Sequence, residues 1–214
     1  MKMSEDRTKN IILLFMLGIF IILLVVAIAL AFFKSNYSDE DRERDVEKYI
    51  ERYDIPYRQS SSAKHTMVEF TDLRCPDCRT FHERYYRSHL QEKVENGKLN
   101  YVSIYYPVVD KKSYDYANMT RAISQSGHND MFYRFVDIGY ETSRIDNDPT
   151  KTLKRLSLST KDEKDILSKY NKIKGQKINK KELEDTFNIN QTPTIFIDGE
   201  PITDVNKIEE KLEE

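Results

Sequence analysis

The chain has 214 residues, enough for one medium-sized domain with its own buried core and an additional segment. Its 34 basic and 36 acidic residues are interspersed and leave a net charge of -2, so nucleic acid is not expected as a partner. A charged fraction of 33% excludes a protein made mainly of membrane-spanning helices.

An uncharged apolar segment occupies residues 11–33. Its 23 residues can cross the roughly 30 Å hydrocarbon core of a bilayer as a helix, so we expect a single transmembrane anchor. Basic side chains precede the segment within residues 1–10, whereas a mainly acidic stretch, residues 39–45, follows it. This bias predicts a cytoplasmic N-terminus at residues 1–10 and a catalytic domain on the extracytoplasmic side of the cell membrane.

A cleavable signal peptide is the alternative interpretation of the same segment. Ala29-Leu30-Ala31 has the small-x-small form that a signal peptidase accepts. The apolar region of a signal peptide is usually only about 7 to 15 residues long, which favours the anchor. In either case the remainder of the chain is exported.

Residues 34–54 are predicted to form a polar connector that contains one short helix. Ser38 is the candidate cap of this helix, with Asp41 three residues further on. Apolar side chains then recur at i, i+3, i+4 and i+7, namely Val46, Tyr49, Ile50 and Tyr53. We expect this helix to pack on the domain that follows.

Residues 55–214 are predicted to form a single α/β domain. A buried strand is expected at residues 67–72, a helix from Pro76 to about Val94, and a second strand at residues 99–106. Short joints between these elements predict a right-handed βαβ unit on a parallel strand pair.

A helical insert is predicted at about residues 112–187, where helical patterns continue without a convincing strand. A stretch of about 75 residues between two strands is too long for a loop. A strand signal returns at residues 194–198, followed by a short apolar Pro201-Ile202 and a final helix from Asp204. The C-terminal part is therefore expected to add a hairpin to the sheet and to cover the sheet with a helix.

Cys75-Pro76-Asp77-Cys78 contains the only two cysteines of the protein. Two residues between cysteines close too small a loop for a useful structural disulfide, so redox exchange explains the pair better. A thiol at a helix N-terminus faces unpaired N–H groups and the positive end of the helix dipole, which favour the thiolate. We therefore expect Cys75 to be the exposed, acidic thiol and Cys78 to be its buried partner.

A zinc site is the alternative reading of the cysteine pair. Cys75, Cys78 and His82 could supply three ligands, but a fourth ligand at suitable spacing is missing. We expect neither a metal nor another cofactor.

Two motifs carry a resemblance to a known family. Residues 68–78, VEFTDLRCPDC, and residues 187–194, FNINQTPT, resemble the thioredoxin superfamily. The helical stretch between the motifs is similar to the DsbA-like branch, which includes the membrane-anchored Gram-positive oxidases of the BdbD type. The resemblance covers about residues 55–214 and implies a thioredoxin fold with an inserted helical subdomain, and a substrate groove beside the active site.

The resemblance also assigns supporting residues. Pro193, preceded by Thr192, resembles the family's cis-proline, whose loop faces the cysteines; the alternative is an ordinary trans proline leading into an edge strand. Glu69 matches the buried acid beneath the pair, where its raised pKa would let it exchange a proton with Cys78. The alternative for Glu69 is a carboxylate on a partly solvated strand face.

Asp77 departs from the family pattern. Strongly oxidising members have histidine before the second cysteine, and an anion near Cys75 should disfavour its thiolate. We therefore expect a Cys75 pKa well above the roughly 3.5 of DsbA. A higher pKa implies a less oxidising disulfide.

The resemblance implies an enzyme that forms disulfides in exported proteins with free cysteines. A quinone-linked membrane partner of the DsbB or BdbC type would restore its disulfide. Two alternatives stay open: a membrane-anchored thiol reductase or isomerase, for example in cytochrome c maturation, and a surface scaffold in which redox activity is incidental.

Overall fold

A computed structural model describes residues 2–35 and 38–214 of the chain, with side chains described for residues 12–29 and 38–214. Met1 and residues 36–37 are not described. The predicted cytoplasmic N-terminus and the predicted connector therefore lie partly outside the described residues, as do the basic side chains before the apolar segment and the side chains of Leu30 and Ala31. The described chain divides into two units, Met1–Ser38 and Asp39–Glu214.

The first unit is one helix, α1 (Lys2–Ser35). Its most apolar 18 residues, Ile12–Ala29, have a mean hydropathy of 3.4, and none of them is buried. Burying such side chains in water-free surroundings is favourable, so α1 suits a membrane by length and composition. A signal sequence would pass the same test.

The second unit contains a five-stranded sheet with the order β1-β3-β2-β4-β5. Strands β2 and β3 are parallel, which confirms the predicted βαβ unit, and the other neighbours are antiparallel. The two-residue strand β1 was not predicted, because so short a segment carries no alternation pattern. The strands are β1 (Tyr57–Arg58), β2 (His65–Thr71), β3 (Leu99–Tyr105), β4 (Thr194–Ile197) and β5 (Glu200–Ile202).

Helices of the second unit follow the predicted order with one local difference. The chain from Pro76 to Glu95 is helical throughout, but its middle part, His82–Leu90, is π-helical. At its end the Gln91 N–H donates to the carbonyl of Tyr86, five residues back. The helices are α2 (Asp39–Tyr53), α3 (Pro76–Phe81), α4 (Gln91–Glu95), α5 (Lys111–Gln125), α6 (Asn129–Asp146), α7 (Pro149–Lys154), α8 (Thr160–Ile173), α9 (Lys180–Phe187) and α10 (Lys207–Leu212).

Helices α5 to α9 occupy the region where the insert was predicted, and no strand is found within this described stretch. The final helix begins at Lys207 rather than at Asp204, because the Asp204 side chain accepts the N–H of Asn206 in a turn that precedes it.

Two apolar clusters cover opposite faces of the sheet. Side chains alternate between the faces along each strand, so Met67 belongs to one cluster whereas Val68 and Phe70 belong to the other. Val46 of α2 and Phe187 of α9 close the second cluster, so α2 packs on the domain as expected. The alternation leaves Glu69 on the Met67 face, the face that also holds both cysteines.

Candidate active site

The turn between β2 and α3 is held by the carboxylate of Asp72. One Asp72 oxygen accepts the N–H of Arg74 at 2.9 Å, and the other accepts the N–H groups of Val108 and Val109 at 2.9 and 3.0 Å. The Asp72 carbonyl accepts the N–H of Cys75 at 2.9 Å. A single buried side chain thus fixes the backbone that presents the first cysteine.

Cys75 is the N-cap residue of α3. Its backbone is extended (φ -75°, ψ 125°), and its Sγ accepts the N–H of Cys78 at 3.5 Å. Pro76 follows in the first turn, where a missing N–H costs no helical hydrogen bond. Pro76 and Asp77 are exposed. The cysteines are close together at a helix N-terminus, as the sequence predicted.

Both cysteines are free thiols and both are buried. Cys78 is fully buried, as expected, but only 6% of Cys75 is exposed, so the expectation of an exposed Cys75 is wrong. The loop that contains Pro193 covers it: the Cys75 thiol donates to the Thr192 carbonyl at 3.4 Å. The position of Cys75 in the turn did not predict that it would be covered, because the covering loop belongs to a segment more than 100 residues further along the chain.

The environment separates the acidities of the two thiols. A hydrogen bond from the Cys78 thiol, assisted by Thr192 and by the N–H groups of Cys78 and Asp77, lowers the pKa of Cys75 to about 6 against an opposing effect of burial. Burial and the hydrogen bond to Cys75 raise the pKa of Cys78. The Cys75 value lies above the roughly 3.5 of DsbA, as predicted. The Asp77 N–H contributes to this lowering, whereas the effect expected from the Asp77 carboxylate stays a prediction.

The Thr192–Pro193 peptide bond is cis, so the alternative of a trans proline is wrong. The bond lies directly before β4, which pairs antiparallel with β2. Thr192 and Pro193 are half-buried, and their loop lies against Cys75. The structure therefore brings together the two motifs that lie at opposite ends of the domain sequence.

Glu69 is completely buried, so the alternative prediction, that this carboxylate lies on a partly solvated strand face, is wrong. Burial raises the pKa of Glu69, although hydrogen bonds partly offset this effect. Tyr101 donates to Glu69 Oε2 at 2.6 Å, and Tyr140 lies 3.4 Å from Oε1. The charge of Glu69 is in turn one of the causes that raise the pKa of Cys78, so the two groups interact.

Four hydroxyl-bearing residues around Glu69 were not predicted from the sequence: Tyr101, Ser103, Tyr140 and Thr71. Tyr101 also accepts from Ser103 at 2.7 Å, and Tyr140 shares a 2.6 Å hydrogen bond with Thr71. The parallel register pairs Glu69 with Ser103, so a correct strand alignment could have found Ser103. Tyr140 lies on α6, and no sequence pattern connects α6 to Glu69.

Helix α6 also supports the active-site turn from the insert side. Ser143 Oγ donates to the Leu73 carbonyl at 2.5 Å, and the Arg74 guanidinium contacts the Ser143 carbonyl. Arg74 additionally forms an ion pair with Asp110 at 2.8 Å. At Gly139, a Cβ atom would come within 2.9 Å of a Leu73 methyl group, so a larger residue would force the Leu73 side chain to shift.

His82 does not join the cysteines in the manner of a zinc ligand. Its Nε2 lies 2.9 Å from an oxygen of Asp137, and its ring stacks on Tyr140 with centroids 4.5 Å apart. In the described part of the chain, no group of three or more histidine, cysteine, aspartate or glutamate side chains is arranged to hold a metal ion.

Comparisons with known proteins agree with this architecture. A family model described as Thioredoxin matches residues 57–213. Similar solved structures include the thiol-disulfide exchange protein alpha-DsbA2 from Wolbachia pipientis (17% identity, TM-score 0.62, 82% of this chain and 94% of that one). MdbA, a thiol-disulfide oxidoreductase from Corynebacterium diphtheriae, has 18% identity and a TM-score of 0.59 over 75% of this chain and 90% of its own.

BdbD from Bacillus subtilis has 19% identity and a TM-score of 0.54, covering 77% of this chain and 92% of that one. No curated protein matches the sequence. The predicted fold class, an α/β thioredoxin fold with additional helices and an apolar N-terminal helix, is confirmed. The chain therefore belongs to the thioredoxin family, and its fold is that of the DsbA- and BdbD-type thiol-disulfide oxidoreductases.

Proposed function

We propose that this protein forms disulfides in exported proteins, with Cys75 and Cys78 as its redox pair. The observation that carries the proposal is the asymmetry of the two thiols: the pKa of Cys75 is lowered to about 6 at the helix N-cap, whereas that of Cys78 is raised by burial. A stabilised thiolate favours the dithiol form of the enzyme, and this makes its disulfide a better oxidant.

The reaction begins with the enzyme disulfide. A substrate thiolate attacks Cys75 Sγ, the Cys75–Cys78 bond breaks, and Cys78 leaves with the electron pair and takes up a proton. A second substrate thiolate then attacks the substrate sulfur of the mixed disulfide and displaces Cys75 as a thiolate. The substrate loses two electrons and leaves as a disulfide, and the enzyme gains them as a dithiol.

Glu69 is proposed to exchange the proton of Cys78. A buried carboxyl with a raised pKa can hold a proton and deliver it when Cys78 leaves, and can accept it when Cys78 attacks during reoxidation. Tyr101 and Tyr140 keep the carboxyl in place through their hydrogen bonds. Pro76, Asp77, Thr192 and Pro193 are proposed to shape the surface on which the substrate backbone lies.

Reoxidation is assigned to a quinone-linked membrane protein of the DsbB or BdbC type. The apolar helix α1 supports this assignment, because a membrane anchor would hold the domain in the plane of such a partner. Tethering raises the effective concentration of the two proteins, so a weak contact suffices.

The reduction potential of the Cys75–Cys78 couple tests the direction of electron flow. The full chain in detergent would be equilibrated against glutathione buffers, and its thiols trapped and counted. A Cys75 pKa between those of DsbA and thioredoxin, roughly 3.5 and 7, predicts a potential between about -120 and -270 mV. A value near or above about -180 mV supports the disulfide donor.

A value at or below the roughly -270 mV of thioredoxin would instead assign the protein to the thiol reductases. If the potential identifies a disulfide donor, the oxidised enzyme should also form disulfides in a reduced, unfolded substrate that has several cysteines. The Cys75→Ser variant is the control, since it retains the fold and a polar group but has no disulfide. Activity in this variant would contradict the proposed role of the pair.

A further inference from the structure

A cleft away from the cysteine pair opens between α2, the end of β3, α5 and residues 176–179. Its volume is about 170 Å³, similar to the roughly 150 Å³ of a protein cavity that binds benzene, so it can hold one aromatic ring. None of the proposed redox residues lines it. Strand β1 pairs with Tyr101 and Val102 only, so the last residues of β3 face the cleft beyond the end of β1.

The cleft has an aromatic and aliphatic wall. Tyr53 contributes from α2, Ile104 from β3 and Phe132 from α6. Ile104 and Phe132 are fully buried, so these groups are fixed by the surrounding core and are not mobile surface side chains. A wall of this composition suits the apolar body of a small ligand.

A buried hydroxyl group without a hydrogen-bond partner belongs to a residue that lines the cleft. Ser124 is 7% exposed, and its hydroxyl has no hydrogen-bond partner among the described residues. Buried polar groups are nearly always hydrogen-bonded, so an unpaired hydroxyl at a cleft is a group available to a ligand.

Arg121 supplies a positive charge in the same cleft. Its Nε is buried without a hydrogen-bond partner, and its Nη1 reaches only the amide oxygen of Asn118 at 3.4 Å. Among the described residues no carboxylate forms an ion pair with Arg121; the nearby Glu182 accepts instead from Arg52 at 2.6 Å and from Tyr53 at 3.0 Å. Lys177, which is exposed, adds a second positive charge at the cleft.

We infer that this cleft binds a small amphiphilic carboxylate, with the anion on Arg121 and the hydroxyl of Ser124, and an aryl or alkyl body against Tyr53, Ile104 and Phe132. The guanidinium and the hydroxyl, one turn apart on α5, can each donate to an oxygen of a carboxylate. The site is independent of the disulfide chemistry and of the direction of electron flow.

The charge requirement is tested with a matched pair of ligands on the unaltered protein. The full chain in lipid nanodiscs would be titrated with 3-phenylpropionate and with 3-phenylpropionamide by calorimetry, and empty nanodiscs would serve as the reference. We expect the carboxylate to bind at least tenfold more tightly than the amide. Equal binding of the two, or no binding of the carboxylate at millimolar concentration, overturns the inference without any need for a variant.

The location is tested with paired arginine variants. Arg121→Gln should weaken 3-phenylpropionate binding at least tenfold, and Ser124→Ala should weaken it less. Arg144→Gln removes the same charge from an exposed position on α6 that does not line the cleft, and should bind like the unaltered protein. Unchanged binding to Arg121→Gln, or equal loss in Arg144→Gln, excludes the cleft as the site.

Discussion

Cys75 and Cys78 have the same side chain, and their surroundings give them different chemistry. Cys75 Sγ receives hydrogen bonds from the helix N-terminus, whereas Cys78 lies one turn inside, above the buried Glu69. The thiolate is the reactive form, so only Cys75 is expected to act as a nucleophile at neutral pH. Cys78 becomes reactive only when a neighbouring base accepts its proton.

The acidity of Cys75 predicts a pH profile for alkylation. The reduced protein should react with iodoacetamide at a rate that is half-maximal near pH 6, because the pKa of Cys75 is lowered to about 6. Cys78→Ala removes the largest cause of this shift and should move the midpoint to higher pH. The Cys75→Ser variant, in which only buried Cys78 is left, should react slowly throughout; fast labelling of it would mean that Cys78 is accessible.

The same shift predicts how stability depends on pH. The folded pKa of Cys75 is about 6 and the ordinary value is 9.0, so between these values the unfolded chain binds a proton that the folded chain does not. The stability of the reduced protein relative to the oxidised protein should therefore rise from pH 6 to pH 9 and be lost below pH 6. Thermal melts of the reduced and the oxidised protein between pH 6 and pH 9 measure this difference in stability. If the difference fell as the pH rose, the lowered pKa of Cys75 would be contradicted.

Glu69→Gln tests the proton exchange with Cys78. The amide keeps the size and hydrogen-bonding capacity of the acid but cannot give or take the proton, so enzyme reduction by a dithiol at pH 7 should slow by about tenfold or more. Stopped-flow mixing would measure this rate. Tyr140→Phe is the comparison, since it removes one hydrogen bond to the carboxyl and should slow the reaction less. A Glu69→Gln rate equal to that of the unaltered protein would leave Glu69 with a structural role only.

Helix α6 connects the insert to the active-site turn. Its Gly139 and Ser143 lie against Leu73, two residues before Cys75, and its Tyr140 reaches Glu69. One face of a single helix thus contacts both the turn that carries Cys75 and the buried Glu69, because positions three and four residues apart lie on the same side. The insert therefore contributes to the proposed redox site and also covers the sheet.

Gly139→Val tests this contact. The added methyl groups would meet Leu73 in a packed core, and overpacking of this kind costs about 1–3 kcal/mol of unfolding free energy. Displacement of Leu73 should also change the alkylation profile of Cys75. Arg144→Val places the same β-branched residue on an exposed position of α6 and should cost much less. Chemical denaturation measures the unfolding free energy of both variants. Equal losses in the two would mean that the low helix propensity of valine, and not the contact with Leu73, causes the effect.

Local signals predicted the elements that build the site but not the contacts between them. Residues 68–78 have strand, turn and helix signatures within a short window, so the βαβ unit and the place of the cysteine pair in it followed from local patterns. The cis form of the bond before Pro193 was expected only from the resemblance to a known family. Contacts made across the fold have no such signature. The cover of Cys75 by Thr192, the tyrosines on Glu69 and the cleft at Arg121 all join residues from distant segments.

The whole molecule combines an apolar helix with a polar catalytic domain. The apolar window Ile12–Ala29 is uncharged, whereas the sequence as a whole is 33% charged. Such a division is typical of single-pass membrane proteins whose activity lies in one aqueous compartment. Disulfide formation requires an oxidising compartment, so the proposed function needs the domain to lie outside the cytoplasm.

Two cysteines in the whole chain make the orientation directly measurable. A membrane-impermeant maleimide added to intact cells after mild reduction should label Cys75, because an extracytoplasmic domain is accessible to it. The uncleaved chain should appear in the membrane fraction at 25.4 kDa and resist a carbonate wash, as expected for a spanning helix. A smaller, soluble product would instead identify α1 as a cleaved signal sequence, and labelling only after cell lysis would place the domain in the cytoplasm and remove the basis for the proposed oxidase.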